Sequence, residues 1–201
     1  LYGAMGNVYF RYYDIRVAEG ITMTGQYIIR TVAKKMNDFI NKECKTNGID
    51  YSFYSDTDST YLTLGNYIQN VLKDGSKTEL VEQIDNYCRT RIEPVISNAC
   101  DELTSYLNTY QKKINFKREV IADRGVWIAK KRYALNVYNA EGVAYDPPKL
   151  KVLGMEIVRS STPGPVRIAL KEAVSIVLTK DEQTLRDFVD DLRDKIGRAH
   201  V

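Results

Sequence analysis

Histidine is almost absent from this chain, because His200, beside the last residue, is the only one among 201 residues. Hydrolases of the Ser-His-Asp or Cys-His type and histidine-rich metal centres need at least one histidine within the fold. Those classes are therefore disfavoured. Any catalysis must depend on carboxylates, lysines or tyrosines.

Cysteine and long apolar runs are also scarce. Cys44, Cys88 and Cys100 are widely spaced and form no Cys-x-x-Cys pair, so we predict reduced core thiols rather than disulfides or a zinc site. No apolar run approaches the roughly 18 to 20 residues of a membrane span, and no basic-then-apolar leader opens the sequence. We expect no membrane association and a cytoplasmic location.

Charge is abundant but unevenly distributed. The net charge is only +3, yet basic residues dominate positions 112–132 and acidic residues dominate positions 181–194. Fifteen tyrosines add side chains that can stack on bases or sugars. This distribution favours a protein that presents one positive face to a polyanion. For the acidic segment we expect a solvated helix face, with partner binding as the alternative.

Apolar periodicity predicts a mixed α+β chain. A long helix begins after Asp14, a plausible N-cap, and ends near Cys44, with Gly48 in the stop signal that follows. A second helical pattern is interrupted by Pro94. The predicted helices cover 14–44, 78–107, 166–178 and 185–196, and a linker at 160–165 separates the last two from the rest.

Two hairpins are predicted between these helices. The first joins strands 51–55 and 60–64 through a polar tip that contains Asp56 and Asp58. The second joins 114–122 to 126–138 through a turn at 123–125. A loop is expected at 146–148, before a last strand at 150–158.

The first hairpin tip is the main candidate for chemistry. Carboxylates separated by one residue can share a metal, and hard oxygens suit Mg²⁺, which keeps waters and substrate phosphates as its other ligands. A solvated turn is the plain alternative. A calcium loop is excluded, since its glycine and glutamate positions hold Tyr61 and Tyr67. A nucleotide-sugar transferase with a metal-binding Asp-x-Asp remains open.

The second hairpin carries the compact cationic sequence Lys130, Lys131, Arg132 and Tyr133. If all four lie on a strand, Lys131 and Tyr133 share one face and the other two share the opposite face. Phosphate neutralisation next to aromatic contact is typical of nucleic-acid binding. A solvated edge strand protected by its lysines is the alternative.

Taken together, these segments resemble the family B (polymerase α-like) DNA polymerases, most closely those of tailed bacteriophages. Residues 1–7 with 10–14 resemble the end of the fingers motif and its continuation into the palm. Residues 54–59 resemble the palm motif Tyr-Gly-Asp-Thr-Asp-Ser, with Ser55 in place of glycine. Residues 127–133 resemble the Lys-Lys-x-Tyr primer-strand motif, and 154–156 with 160–163 resemble the entry into the thumb.

The resemblance implies roles for particular residues. Asp58 would be a direct ligand of two catalytic Mg²⁺ ions, Asp56 would contribute charge in the same turn, and Glu119 would be a third carboxylate. The primer-template DNA would be contacted by a larger set: Lys130, Lys131, Arg132, Tyr133, Tyr2, Gly3, Ser161 and Thr162. Deoxynucleoside triphosphates would be the second substrate.

The resemblance also implies that parts of the enzyme are missing from this sequence. In the usual order of the family, the first palm motif, Asp-x-x-Ser-Leu-Tyr-Pro-Ser, and the fingers cations come before the segment that resembles residue 1 onwards, and neither motif appears in this chain. We expect a truncated chain, with a trimmed complete domain as the alternative. It would comprise a palm, residues 1–159, and the start of a thumb, residues 160–201. Alone, the chain would be inactive and prone to self-association. The complete polymerase would also bind a sliding clamp. A non-catalytic DNA-binding module is a further alternative.

Overall fold

A computed structural model describes residues 2–72 and 75–198, and His200 lies outside them. The fold is α+β, as predicted, with helices beside small antiparallel sheets. The chain divides into two compact units, Leu1–Arg118 and Glu119–Val201. The expected palm and thumb boundary at 159/160 falls within the second unit and remains a prediction.

The first unit is organised around one long helix. After a short α1 (Tyr2–Met5), α2 spans Ile15–Cys44 and begins at Asp14, whose side chain accepts a hydrogen bond from the Arg16 amide. The predicted helix is confirmed. Its left-handed terminal residue is Lys45, at φ 54°, whereas Gly48 has a positive φ three residues later. Glycine therefore shapes the loop after the helix, not the helix end itself.

A hairpin and a set of shorter helices complete the first unit beside α2. The hairpin of β1 (Ser52–Asp56) and β2 (Ser59–Leu62) is followed by α3 (Gly65–Asn70). Helix α4 (Lys77–Tyr87) continues through a π-helical turn (Cys88–Ile92) into α5 (Glu93–Tyr106). The predicted interruption is present as this π-helical turn, with Pro94 at the start of the α5 helix that follows it.

The core of the first unit lies between α2, α5 and the hairpin. Val32, Met36 and Ile40 form the buried stripe of α2, and Tyr51 is buried beside them. The three cysteines are buried and unpaired, as predicted. Burial raises the pKa of the Cys88 thiol to about 11, which keeps it protonated and unreactive near neutral pH.

The second unit is built on a three-stranded antiparallel sheet in the order β3-β4-β5. Its strands are β3 (Val120–Ala129), β4 (Arg132–Ala140) and β5 (Val143–Leu153). The central strand β4 is buried along most of its length. A 3₁₀ turn (Glu156–Val158) leads to α6 (Gly164–Thr179) and α7 (Glu182–Arg198), which confirms the predicted pair of helices.

The second hairpin is real, but its predicted turn is wrong. The segment 123–125 lies inside β3, and the chain reverses at Lys130 and Lys131 instead. Gly125 serves a different purpose there, since a Cβ at this position would lie 2.6 Å from the Trp127 ring and 2.7 Å from Leu135. Asp123 sits at a bulge and accepts a hydrogen bond from the buried Asn136 amide at 2.8 Å.

The predicted loop at 146–148 is also wrong, because these residues lie within β5. Pairing shifts between Val137 and Asn139 of β4, opposite residues 145–148, so the prolines occupy an irregular stretch. Strand β5 is an edge strand, which tolerates residues that lack an N–H. Within the described residues, no helix is long and apolar enough to cross a membrane.

Candidate metal-binding and nucleic-acid-binding turns

The first candidate site is the carboxylate turn, residues 56–59, which joins β1 to β2. Asp56 pairs with Ser59 across the hairpin, leaving Thr57 and Asp58 at the tip. Thr57 has φ 52°, and the Asp58 amide donates to the Asp56 carbonyl at 2.6 Å. This i to i+2 bond makes the reversal very tight. Asp56 is half-buried, whereas Asp58 is exposed at the tip.

Hydroxyl groups brace this turn. The Thr57 hydroxyl donates to an Asp56 carboxylate oxygen at 3.0 Å, and the Ser59 hydroxyl donates to the Asp56 carbonyl at 3.2 Å. Ser55, where the resembling motif has glycine, donates from its hydroxyl to Thr60 at 3.0 Å. The serine therefore fits the strand and adds a cross-strand hydrogen bond.

The donor set of the carboxylate turn fits a hard divalent cation. Asp56 and Asp58, separated by Thr57, supply carboxylate oxygens from one tight turn. Mg²⁺ is commonly held by one or two carboxylates, with phosphates and waters completing its shell. Among the described residues, no group of three or more acidic, cysteine or histidine side chains is gathered as a metal cage. The turn thus offers part of a coordination shell.

Glu119, the predicted third carboxylate, begins the second unit just before β3. Its carboxylate forms an ion pair with Lys151 of β5, and its carbonyl accepts a hydrogen bond from the Glu141 amide at 2.8 Å. These contacts fasten the entry of β3 to the rest of the sheet. A role for Glu119 beside the metals stays a prediction.

The second candidate site is the cationic turn, Lys130 and Lys131, which joins β3 to β4. Ala129 pairs with Arg132, so the two lysines form the whole loop, and Lys131 adopts φ 60°. Both are exposed. The predicted alternation of four residues along a strand is wrong for this reason: the lysines project from the tip, and only Arg132 and Tyr133 lie on β4.

Arg132 and Tyr133 differ sharply from the lysines in their surroundings. Arg132 is half-buried, and its Nη2 donates to both carboxylate oxygens of Glu156 at 2.6 Å. The pKa of the Glu156 carboxyl lies below its usual range, chiefly through its own backbone amide and then through Arg132. Tyr133 is buried and stacks on Trp127, with ring centroids 6.0 Å apart. Tyr133 therefore supports the hairpin from within.

The remaining predicted DNA contacts lie elsewhere in their units. Tyr2 and Gly3 belong to α1, where Gly3 is exposed and the Tyr2 side chain lies outside the described residues. Ser161 is exposed and Thr162 half-buried in the turn before α6. Their roles stay predictions.

Two residues contact the cationic turn in a way that the sequence analysis did not predict. The sequence analysis assigns Gly154 and Glu156 only to a thumb-entry motif. A Cβ on Gly154 would lie 1.9 Å from the Lys131 carbonyl oxygen, and Glu156 accepts hydrogen bonds from Arg132. The sequence places a glycine two residues before a glutamate, and only the strand register reveals what the two residues contact.

Comparison with known proteins agrees with the motifs. No protein-family model matches the chain. It is 40% identical over 198 residues to the DNA-directed DNA polymerase of Enterobacteria phage T4, covering 94% of this chain and 22% of that protein. It is 41% identical over 192 residues to the DNA-directed DNA polymerase of Escherichia phage RB69, covering 90% of this chain and 21% of that protein.

The chain thus spans about a fifth of the length of these two relatives while matching them over nearly all of its own length. Identity at this level across some 190 residues does not arise by chance, and it coincides with the ordered motifs of the sequence analysis. The predicted resemblance is confirmed: the chain is homologous to a segment of the phage family B DNA polymerases.

Proposed function

We propose that this chain forms part of a DNA-directed DNA polymerase that adds deoxynucleotides to a primer 3′-hydroxyl. The observation that carries the proposal is the near end-to-end similarity to two phage DNA polymerases. Two exposed turns, one of carboxylates and one of lysines, match the two needs of nucleotidyl transfer. These needs are charge stabilisation at a triphosphate and a grip on the primer strand.

The carboxylate turn would hold the metal. Asp58 projects from the tip and Asp56 is fixed by the hydroxyls of the hairpin, so we assign Asp58 as the principal ligand and Asp56 as the supporting one. Mg²⁺ bound there would neutralise charge on the triphosphate and lower the pKa of the attacking hydroxyl. The tight reversal keeps both carboxylates on one short loop, which limits their motion before substrate arrives.

The cationic turn would hold the primer. Lys130 and Lys131 are exposed ammonium groups at the end of a braced hairpin, suited to phosphate oxygens and groove edges. Tyr133, stacked on Trp127, stiffens the strand that carries them. The sequence-based assignments of Arg132, Ser161, Thr162 and Gly3 to the same duplex belong to this proposal.

A salt titration tests the DNA-binding part. We expect primer-template DNA to bind the chain with an affinity that falls linearly in a log-log plot against salt. Lys131→Ala is expected to weaken binding and to reduce that slope by about 1, since one phosphate contact is lost. Lys180→Ala, an exposed lysine at the end of α6, removes the same charge in the same unit and should leave the slope unchanged. Equal slopes for all three proteins would contradict the assignment.

A metal titration tests the carboxylate turn separately. Mn²⁺ is a paramagnetic substitute for Mg²⁺, and its binding can be followed by electron paramagnetic resonance with the triphosphate present. Asp58→Asn should abolish most binding, while Asp38→Asn, an exposed aspartate of α2 in the same unit, should not. Undiminished Mn²⁺ binding by Asp58→Asn would exclude the turn as the metal site.

A non-catalytic DNA-binding module is the second candidate, favoured by two observations. No cage of three acidic side chains is gathered among the described residues, and the sequence contains no Asp-x-x-Ser-Leu-Tyr-Pro-Ser motif. We therefore propose that the isolated 201-residue chain binds DNA without extending a primer. Mg²⁺-dependent, template-directed extension by the purified chain would contradict this.

A nucleotide-sugar transferase would instead bind a nucleoside diphosphate and would show no DNA binding in the salt titration.

Further substrates and partners are predicted for the longer polymerase of which this chain would be a part. Deoxynucleoside triphosphates follow from the reaction itself. A sliding clamp, self-association of the isolated chain and a cytoplasmic location stay predictions from the sequence.

A further inference from the structure

The cationic turn contains one residue in a backbone conformation that side chains disfavour. Lys131 occupies the left-handed region at φ 60°, which is uncommon for residues with a Cβ. Ala129 and Arg132 pair at the base of the loop, and the register of β3 is irregular between Trp127 and Ala129. Support from outside the hairpin would therefore add to the single pair that fixes the conformation of the two lysines.

The segment that follows β5 supplies that support. Tyr133 pairs with Leu153, so the chain leaving β5 runs directly past the turn. Gly154, at φ 65°, lies so close to Lys131 that a Cβ would be 1.9 Å from its carbonyl oxygen. The backbone of Gly154 therefore packs directly against the backbone of the turn, which leaves no room for a side chain at position 154.

Two residues later, Glu156 grips the side chain next to the turn. Its two oxygens both accept from Nη2 of Arg132 at 2.6 Å, while Arg159 lies 4.0 Å from one of them. Charge-assisted hydrogen bonds of this length are strong and directional. Arg132 adjoins Lys131, so fixing its guanidinium also limits rotation of the loop.

A carboxylate in this position is unexpected on electrostatic grounds. Next to a surface that binds phosphates, a negative charge repels the ligand and lowers affinity unless it contributes something else. The geometry points to such a contribution: we propose that Glu156 is a positioning residue that, through Arg132, holds Lys130 and Lys131 in the arrangement that grips the primer strand. The inference rests on the proposed function of the cationic turn.

The sign of one substitution separates positioning from simple repulsion. Glu156→Gln removes a negative charge, so a bystander carboxylate would give tighter binding of primer-template DNA. A positioning role predicts that binding becomes about tenfold weaker, because the charged hydrogen bonds between Arg132 and residue 156 are weakened. Glu182→Gln is the matched control: it breaks the exposed pair with Arg186, also 2.6 Å long, on α7 of the same unit.

A rescue variant and a DNA-free measurement complete the test. The double variant Arg132→Glu with Glu156→Arg restores an ion pair of opposite direction and should bind DNA more tightly than Arg132→Glu with Glu182→Arg, which has the same net charge but no such pair. In ¹⁵N NMR spectra without DNA, Glu156→Gln should shift the Lys130 and Lys131 amides and lower their heteronuclear NOE values, while Glu182→Gln leaves them unchanged.

The outcomes distinguish this inference from the function on which it rests. If the wild-type chain fails to bind DNA, the proposed function fails, but the NMR measurement still decides whether Glu156 orders the turn. Unchanged amide signals, or affinity equal to or above wild type for Glu156→Gln, would overturn the positioning role.

Discussion

At the scale of single residues, two glycines with positive φ allow the cost of backbone strain to be separated from the cost of a steric clash. Gly142 and Gly154 have φ 89° and 65°, but only at Gly154 would a Cβ meet other atoms. We expect Gly142→Ala to lower the free energy of unfolding by about 1 kcal/mol through backbone strain. Gly154→Ala should cost about 2 to 3 kcal/mol more, since the Lys131 carbonyl must move. Urea denaturation measures both, and equal losses would mean that the close contact is not maintained.

Two buried tyrosines make the second residue-scale prediction. The Tyr87 hydroxyl is buried without a hydrogen-bond partner among the described residues, and burial followed by the charge of neighbouring Tyr67 raises its pKa. The Tyr51 hydroxyl is hydrogen-bonded to Thr46 at 2.8 Å. Tyr87→Phe should therefore be neutral or stabilising, whereas Tyr51→Phe should cost about 1 kcal/mol. Thermal denaturation of both variants checks the order, and a reversed order would contradict it.

At the scale of elements, the beginning of α2 should respond to acid. Hydrogen bonds from the Arg16 side chain hold the pKa of Asp14 below its ordinary value of 3.8. A depressed folded-state pKa means that the carboxylate stabilises the protein above about that ordinary value and that this stabilisation is lost as the pH falls through the lower folded value. Asp14→Asn keeps an N-cap side chain but removes the charge, so it should flatten this acid dependence.

Melting temperatures measured across the acid range test this prediction. Asp38→Asn lies in the same helix, is exposed and away from the N-cap, and should leave the acid dependence of the wild type intact. An unchanged profile for Asp14→Asn would show that the Arg16 pair contributes nothing to α2.

The long helices and the first hairpin were largely predictable from the sequence, and the turn of the second hairpin was not. Helix α2 carries its own signals, an Asp14 cap and an apolar stripe that repeats with the helical period. The turn of the second hairpin gives a misleading signal. Asp123, Arg124 and Gly125 have turn composition, yet Gly125 is required by the Trp127 ring that covers it. Lys131, which does turn, is a residue type that rarely adopts a positive φ.

The prolines of β5 illustrate the same limit of local patterns. Pro147 and Pro148 predict a loop, because proline cannot donate to a strand ladder. They lie in a strand because β5 is at the sheet edge and its pairing skips residues 145–148. Edge position is a property of the assembled sheet, so no pattern within the segment encodes it.

At the scale of the whole molecule, each of the two units has buried apolar side chains of its own. Ile40 is fully buried in the first unit, and Ile121 is buried in the second. Each Ile→Val substitution should lower the free energy of unfolding by about 0.5 to 1.5 kcal/mol. The double variant should lose the sum to within about 0.5 kcal/mol, because Ile121 does not belong to the cluster of described buried residues that contains Ile40. Urea denaturation of the four proteins closes the cycle, and a larger discrepancy would reveal coupling.

The relatives of the chain were easier to predict from the sequence than the arrangement of the candidate site. The order of four short motifs along the chain was enough to identify the polymerase relatives, since motif order is read directly from the residues. The pairing of Arg132 with Glu156 depends on how β4 and the segment after β5 meet, 24 residues apart in sequence. Contacts of that kind arise from packing and leave no periodic pattern.

The π-helical turn between α4 and α5 has a consequence for how this segment tolerates changes in length. Its wider i to i+5 closure accommodates one residue more than an α-helical turn would. Deleting one residue from 88–92 would let a regular α-helix run through and would keep the residues after it in phase, whereas an α-helical path that retained all five residues would rotate them by about 100°. In that second case Ala99, Cys100 and Leu103 would leave the core together. The wide turn therefore keeps the buried face of α5 on the core despite one additional residue, and we expect a single deletion here to be better tolerated than a single insertion.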